Sequence, residues 1–339
     1  MRIRVSVLSA AIALALSIAA PLQAKEEKLA LRLGFETSLP SAQGVGALEM
    51  ARVAGEASKG RISIELFPDS KLGTGPQMIE MVKKGELDIF QGGAGMFSSI
   101  EPRLNVFDIP YLFDSVQQAY KVLDSKFGTE MLDTLQPAGL KGMSFWENGI
   151  RSVTNNVRPI TKPEDLVGIK LRVMPANPVH VTLWKYMGTE PTPLPFGEIY
   201  NALKVGQLDG QEHPIAPING GKFYEVQKYL SLTKHMYGPL IQVMNLEKFK
   251  SYSAKDQKIL LKASYAGAVA MRKFSNDNAA KFMLHWFITE QVEEEKNANS
   301  ILDKLALVDY NPAGILFLDK ELLARPAAIT VNVPWFTAA

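Results

Sequence analysis

The sequence predicts an α/β fold of two lobes, and three observations carry that expectation. The chain has 339 residues, 47% of them hydrophobic, enough to bury a sizeable core and to divide into two domains. Strand-like and helix-like segments alternate from residue 29 to 91, and the alternation resumes after Trp146. Strand–helix–strand order is the mark of a parallel α/β unit. No repeat, low-complexity run or floppy linker separates the two stretches, so strands that cross between the lobes are expected to join them.

Residues 29–35 (L-A-L-R-L-G-F) read as a buried strand. Across 43–58, Ala47, Met50, Ala51, Ala54 and Ala57 recur at helical spacing, which predicts a helix that Gly60 stops. Residues 61–67 are rich in β-branched side chains and read as the next strand. A Gly/Pro loop at 73–76 leads to a helix over 76–84 capped by Gly85, then a strand at 87–91. The second series predicts a strand at 150–154, a short helix near 163–167, a strand at 168–173, helices at 177–187 and 196–205, and a strand at 207–211. Ser253-Ala254-Lys255-Asp256 resembles a capping box with Asp in place of Glu, and it opens a long helix over about 254–283.

The first 24 residues read as an export signal. Arg2 and Arg4 precede an apolar run, Val5–Ala20, and Pro21-Leu22-Gln23-Ala24 ends in a small residue before charged Lys25. Cleavage is expected after Ala24; the run is short for a membrane anchor. No cysteine follows it, so a lipid anchor is excluded. Removing Arg2 and Arg4 from 37 basic residues leaves 35, equal to the 35 acidic ones. That balance gives no clustered positive charge for nucleic acid. The absence of cysteine removes disulfides, thiol catalysis and thiolate metal sites. His180, His213, His235 and His285 show no metal-ligand spacing, and no metal or cofactor is expected. Nucleophile-elbow and phosphate-loop motifs are missing as well.

Residues 145–230 carry the most chemistry. Arg151 lies in F-W-E-N-G-I-R, and Arg172 ends P-E-D-L-V-G-I-K-L-R. P-F-G-E-I-Y at 195–200, D-G-Q-E-H-P at 209–214 and K-F-Y-E-V-Q-K-Y-L at 222–230 follow. Together these resemble the substrate-binding proteins of tripartite ATP-independent periplasmic (TRAP) transporters, the DctP family. W-E-N-G, Q-E-H-P-I and K-F-Y-E-V-Q-K are similar to its sugar-acid binders, such as those for diketogulonate.

The resemblance implies a periplasmic protein with discontinuous lobes, a cleft between them and a long helix spanning both. It implies more than one crossing between the lobes, expected near Glu147–Ile150 and His235–Leu240. Lobe I would be 25–148 plus about 239–275, and lobe II 149–238 plus about 276–339. The tail from about 284 departs from the family pattern. The function implied is binding of a carboxylate-bearing sugar acid, a hexuronate or keto-sugar acid. The bound acid would be delivered to the small and large membrane permease subunits. A monomer is expected, with no enzymatic activity. A C4-dicarboxylate or other organic-acid ligand stays open within the same mechanism, and a secreted α/β enzyme acting on sugar acids is the rival from another class.

Arg172 is the leading site candidate. Its planar fork of donors matches a carboxylate, and the resemblance puts the clamp there. Arg151, in N-G-x-R, would approach the ligand or form a salt bridge between lobes. His213 stands where sialic-acid binders carry asparagine and would read a hydroxyl or carboxylate oxygen. If it met the carboxylate protonated, affinity would fall as the pH rises through about 6–8. Phe196 would pack against the sugar chain or join the core. Glu36 would accept hydroxyl protons or cap a helix. Asn148 and Asn177 are candidate amide partners, and Thr74 matches a further family contact.

Overall fold

The computed structural model describes the backbone of residues 28–307, with side chains up to Asn278 and a few beyond it. The expected export signal and cleavage point, and the tail after Leu307, lie outside the described residues.

The described residues form one eight-stranded sheet in the order β2-β1-β3-β8-β4-β7-β5-β6. The strands are β1 (Leu29–Phe35), β2 (Ile62–Phe67), β3 (Ile89–Gly93), β4 (Leu140–Asn155), β5 (Lys170–Val173), β6 (Glu190–Pro193), β7 (Gly210–Pro214) and β8 (Tyr229–Asn245). Helices in chain order are α1 (Ala42–Ala57), α2 (Gly75–Lys84), α3 (Val116–Leu123), α4 (Lys126–Asp133), α5 (Pro178–Tyr186), α6 (Ile199–Lys204), α7 (Ile215–Gly220), α8 (Leu246–Ser251) and α9 (Ala254–Leu307).

Two parallel halves meet at two antiparallel strands. β1 pairs in parallel with β2 and β3, and β5 pairs in parallel with β6 and β7. β4 and β8, 16 and 17 residues long, pair with each other and run through both halves. β8 meets β3 on one side, and β4 meets β7 on the other. The register slips between Glu147 and Gly149, where these residues face Pro239 and Gly238. Gly149 has φ 114°, a backbone that side-chain-bearing residues avoid. The two expected crossing segments therefore face each other at an irregular point of the ladder.

Each half carries a core on both faces, as parallel sheets require. In the first half, Leu33, Phe35, Met50, Trp146 and Met271 pack on one side, and Met78, Phe90, Phe107 and Phe145 on the other. In the second half, Val153, Leu171, Val173 and Trp184 form one cluster, and Ile199, Leu203, Ile218 and Phe223 another. The alanine stripe of α1 buries Ala47, Met50 and Ala54 as expected, although Ala57 is exposed.

Several boundaries differ from the sequence reading. The strand expected at 150–154 begins at Leu140, and those at 87–91 and 207–211 lie at 89–93 and 210–214. The helix over 196–205 is a 3₁₀ turn, Phe196–Glu198, followed by α6. The largest correction is α9, which does not stop near 283 but runs 54 residues to Leu307. At 1.5 Å per residue that is about 80 Å. No glycine or proline occurs from Ala268 to Leu307, so nothing local ends it. At its start Ser253 Oγ accepts from Asp256 N, and the Asp256 carboxylate pairs with Arg61.

Helix α9 crosses α1 where Gly46 and Gly267 meet over Trp146. A Cβ on Gly267 would lie 2.4 Å from Trp146 Cη2 and 2.7 Å from Gly46 O. Trp146 cannot retreat easily, because its Nε1 donates to Ser144 Oγ at 2.9 Å. Gly267→Ala is expected to lower unfolding stability by about 1–3 kcal/mol in urea titrations, the scale of an overpacked core. Gly55→Ala, whose Cβ meets only Ile62 O at 3.8 Å, should be neutral or mildly stabilising. Equal effects at the two positions would contradict this packing account.

Candidate ligand-binding site

The C-terminal ends of β1, β3, β5 and β7 converge on one cavity of about 40 Å³, the position open α/β sheets favour for ligands. β1 delivers Glu36 and Thr37, β3 Gly92 and Gly93, β5 Arg172 and Met174, and β7 His213; all line the cavity. Phe196, Asn148, Gln43, Met96, Pro217 and Leu240 complete its wall. The space holds only a few water molecules, and Arg172 is 1% exposed. A larger solute can enter only if the two halves part.

Arg172 is aimed by its surroundings. Its Nε donates to Leu194 O at 2.8 Å, and its Nη1 donates to His213 Nε2 at 3.2 Å. Its Nη2 has no hydrogen-bond partner among the described residues. Phe196 packs edge-on against His213, with ring centroids 5.4 Å apart at 82°. Burial, opposed by Glu212 and Glu36 and reinforced by Arg151, pulls the guanidinium down to about 10. It is still a cation at neutral pH, in a cleft where a charge is strongly felt.

Of the eight residues singled out from the sequence, the structure brings five to this cavity: Arg172, His213, Phe196, Glu36 and Asn148. Three are not in its wall. Arg151 is 1% exposed and is held by Glu212: Nε and Nη2 meet the two carboxylate oxygens, and Nη2 also donates to Glu212 O at 2.7 Å. This is a salt bridge, but it joins β4 to β7 within the stretch expected to be lobe II, so the bridge between lobes offered as the alternative is not the arrangement found. The reason is strand alternation: Glu212 points to the opposite face of β7 from Gln211 and His213, and Arg151 of β4 follows it. Asn177 caps α5, accepting from His180 N, and donates to Asp108 Oδ2 at 2.9 Å. Thr74 caps α2, with its N–H donating to Gln77 Oε1 at 2.8 Å.

The sequence reading missed Thr37, Gln43, Met96, Met174, Pro217 and Leu240. Gln43 Nε2 donates to Gln91 O, and its Oε1 accepts from Thr37 Oγ1 at 2.7 Å. They are scattered over loops, helix starts, a 3₁₀ turn and the middle of β8, and carry no sequence signature of their own.

Residues 34–292 match the family described as bacterial extracellular solute-binding protein, family 7 (DctP). The chain belongs to this family. It is 38% identical over 253 residues to the 2,3-diketo-L-gulonate-binding periplasmic protein YiaO of Escherichia coli, covering 75% of this chain and 77% of that one. Among solved structures, a TRAP periplasmic solute-binding protein from Polaromonas bound to D-erythronate is similar, with a TM-score of 0.74 and 36% identity over 76% of this chain and 85% of that one. The sugar-acid-binding protein of Advenella mimigardefordensis in complex with galactonate has a TM-score of 0.74 and 31% identity, covering 85% of this chain and 94% of that one. The protein is thus a solute-binding subunit of the TRAP type, a two-lobe binder with its cleft between the lobes.

For a DctP-family cleft the electrostatics are specific. Burial, with Arg151 and Arg172 adding repulsion, holds His213 well below the ordinary histidine value. It is therefore neutral at physiological pH in the ligand-free protein, so the condition for affinity falling through pH 6–8, a protonated ring, is not met in the empty cleft. Burial pushes the Glu36 carboxyl up, against Arg172 and the Gly75 N–H that donates to it at 3.1 Å. A carboxyl whose folded-state pKa is raised stabilises the fold below its unfolded value, and loses that contribution as the pH rises through the folded value. Glu36→Gln mimics the neutral form. It should raise the melting temperature of the ligand-free protein at pH 7.5 by more than at pH 4.5. An identical change at both pH values would show that Glu36 is not desolvated.

A second cavity, about 430 Å³, lies on the Glu212 side of β7 and is lined by Tyr111, Ile160, Trp184, Tyr186, Met187 and His235. It is larger and mostly apolar. Its His235 is engaged with Glu212 and Thr233, and its wall includes Lys162 but no arginine, so it offers an acid a single ammonium and no guanidinium fork.

Proposed function

We propose that the protein binds a sugar acid, a hexuronate or keto-sugar acid, and presents it to the membrane permease without chemical change. The observation that carries this reading is Arg172: a buried guanidinium whose Nη2 has no acceptor among the described residues faces a cavity whose other polar side chains are two amides, a carboxyl, a hydroxyl and an imidazole. A carboxylate answers the fork in geometry and charge, and Asn148, Glu36 and Thr37 suit hydroxyls. The relatives that bind diketogulonate, erythronate and galactonate support the same class.

In this reading the protein is exported, processed after Ala24 and monomeric. Its lobes are 25–148 plus about 239–275, and 149–238 plus about 276–339. They close about the crossing strands, a hinge motion of the periplasmic-binding type. Arg172, Glu36, Asn148, His213 and Phe196 form the binding surface.

A thermal-shift screen over uronates, aldonates, keto-acids and C4-dicarboxylates tests the ligand class. At a hundredfold excess over Kd a true ligand stabilises by about 2.7 kcal/mol. The lactone or methyl ester should give little shift, because it lacks the charge. An equal shift from the neutral analogue, or a response to dicarboxylates alone, would sink the sugar-acid reading. Turnover of the acid during the incubation would sink the binding-only one.

A further inference from the structure

His213 is in the cavity wall, yet its ring is committed elsewhere. Behind it runs a buried file of polar side chains. His213 Nδ1 meets Gln211 Oε1; Gln211 Nε2 donates to Thr154 Oγ1 at 2.7 Å. Thr154 Oγ1 donates to Gln227 Oε1 at 2.8 Å, and Gln227 Nε2 donates at 3.2 Å to the carbonyls of Asp209 and Val226. His213, Gln211, Thr154 and Gln227 are all buried, with Gln211 and Thr154 at 0% exposure. Gln211 also pairs with Thr154 across β7 and β4 and with Arg172 across β7 and β5, so the backbone ladder holds three of the members together.

The direction of this file is forced from both ends. A guanidinium has only donors, so His213 Nε2 must be the acceptor for Arg172 Nη1. Two carbonyls have only lone pairs, so Gln227 must turn its NH₂ to them and its oxygen to Thr154. Thr154 then donates to Gln227 and accepts from Gln211. Gln211 is left with its oxygen towards His213, whose Nδ1 must carry the proton. Both constraints give one polarity, and the ring is held as the Nδ1–H tautomer.

We infer that the Gln227–Thr154–Gln211 file is a positioning device for the carboxylate clamp: it locks His213 as an acceptor, and His213 in turn holds Nη1 of Arg172 so that Nη2 faces the ligand. A histidine free to place its proton on Nε2 would oppose an N–H to an N–H of Arg172 and turn the fork away. Thr154 and Gln227 do not line the cavity, so their effect reaches the ligand only through the file. The inference rests on the sugar-acid reading for its ligand, though not for its tautomer.

Thr154→Val tests it. The substitution keeps the shape, removes both hydroxyl bonds and frees Gln211 to turn its NH₂ towards His213. Nitrogen-15 NMR of the ligand-free wild type at neutral pH should show the His213 ring, assigned by its loss in His213→Asn, as Nδ1–H. In Thr154→Val it should become mixed or Nε2–H. Calorimetry with D-glucuronate and D-galactonate should show affinity about tenfold weaker in Thr154→Val, with Thr154→Ser restored to near the wild type. A wild-type ring carrying its proton on Nε2 overturns the proposal, as does a Thr154→Val affinity within twofold of the wild type. So does a Thr154→Ser protein as weak as the valine variant, since that would mark a general packing loss. If neither acid binds the wild type, the sugar-acid reading fails, while the tautomer still upholds or overturns the file.

Discussion

Arg172→Ala should nearly abolish binding of a sugar acid while the protein stays folded. The ligand carboxylate would be left desolvated beside Met174, Phe196 and Leu240, without a cation to meet it. Leaving one partner of a buried ion pair alone costs on the order of 3–5 kcal/mol, two to three decades or more in Kd. Arg172→Lys should also bind poorly. An ammonium cannot donate to Leu194 O, to His213 and to the ligand in the fan that the guanidinium makes. The charge has its own pH signature. Burial pulls Arg172 down to about 10, so affinity should hold through neutral pH and fall as the pH rises towards that value. Titration calorimetry of the wild type at pH 7 and 9.5, and of both variants at pH 7, checks the set. Near wild-type affinity in Arg172→Ala would remove it from the clamp.

Arg151→Met should act on stability instead. It strips the cation from Glu212, which is wholly buried. Burial pushes the Glu212 carboxyl up; Arg151, His235 and their hydrogen bonds outweigh it and hold it well below the carboxylate range. Removing one member of such a pair costs about 3–5 kcal/mol, whereas replacing both with groups of similar volume is often close to neutral. Urea unfolding should therefore show a large loss for Arg151→Met and a substantial recovery for Arg151→Met combined with Glu212→Gln. A depressed carboxyl contributes stability above its unfolded value and loses it as the pH falls through the folded one. The wild-type advantage over the double variant should accordingly shrink at strongly acid pH. If Arg151→Met kept full stability and lost binding by decades, Arg151 would belong in the cleft after all.

These two arginines mark the division between what could be read early and what could not. Each lies in a motif, each has the fork a carboxylate needs, and the sequence offered a ligand or a salt bridge for Arg151. A single strand alternation separates their fates: Gln211 and His213 face Arg172, and Glu212 between them faces Arg151. Asn177 and Thr74 illustrate the same limit. Both side chains suit a ligand, and both also suit a helix start, which is where they are found.

The sequence by itself determined the alternating α/β order, the helix of small residues over α1, the cap at Gly85 and the family motifs between 145 and 230. These rest on local periodicity, turn chemistry and residue identity, all of which are carried within a few neighbours. Only the tertiary structure decided that β4 and β8 run unbroken through both halves of the sheet. It alone placed Gly46 and Gly267 in contact over Trp146, and turned Glu212 away from the cleft. Glu212 is turned by Arg151, 61 residues away, and the file behind His213 likewise needs the Thr154–Gln227 bond across 73 residues. Hydrogen-bond satisfaction and burial are properties of such distant pairs, and no local window contains them.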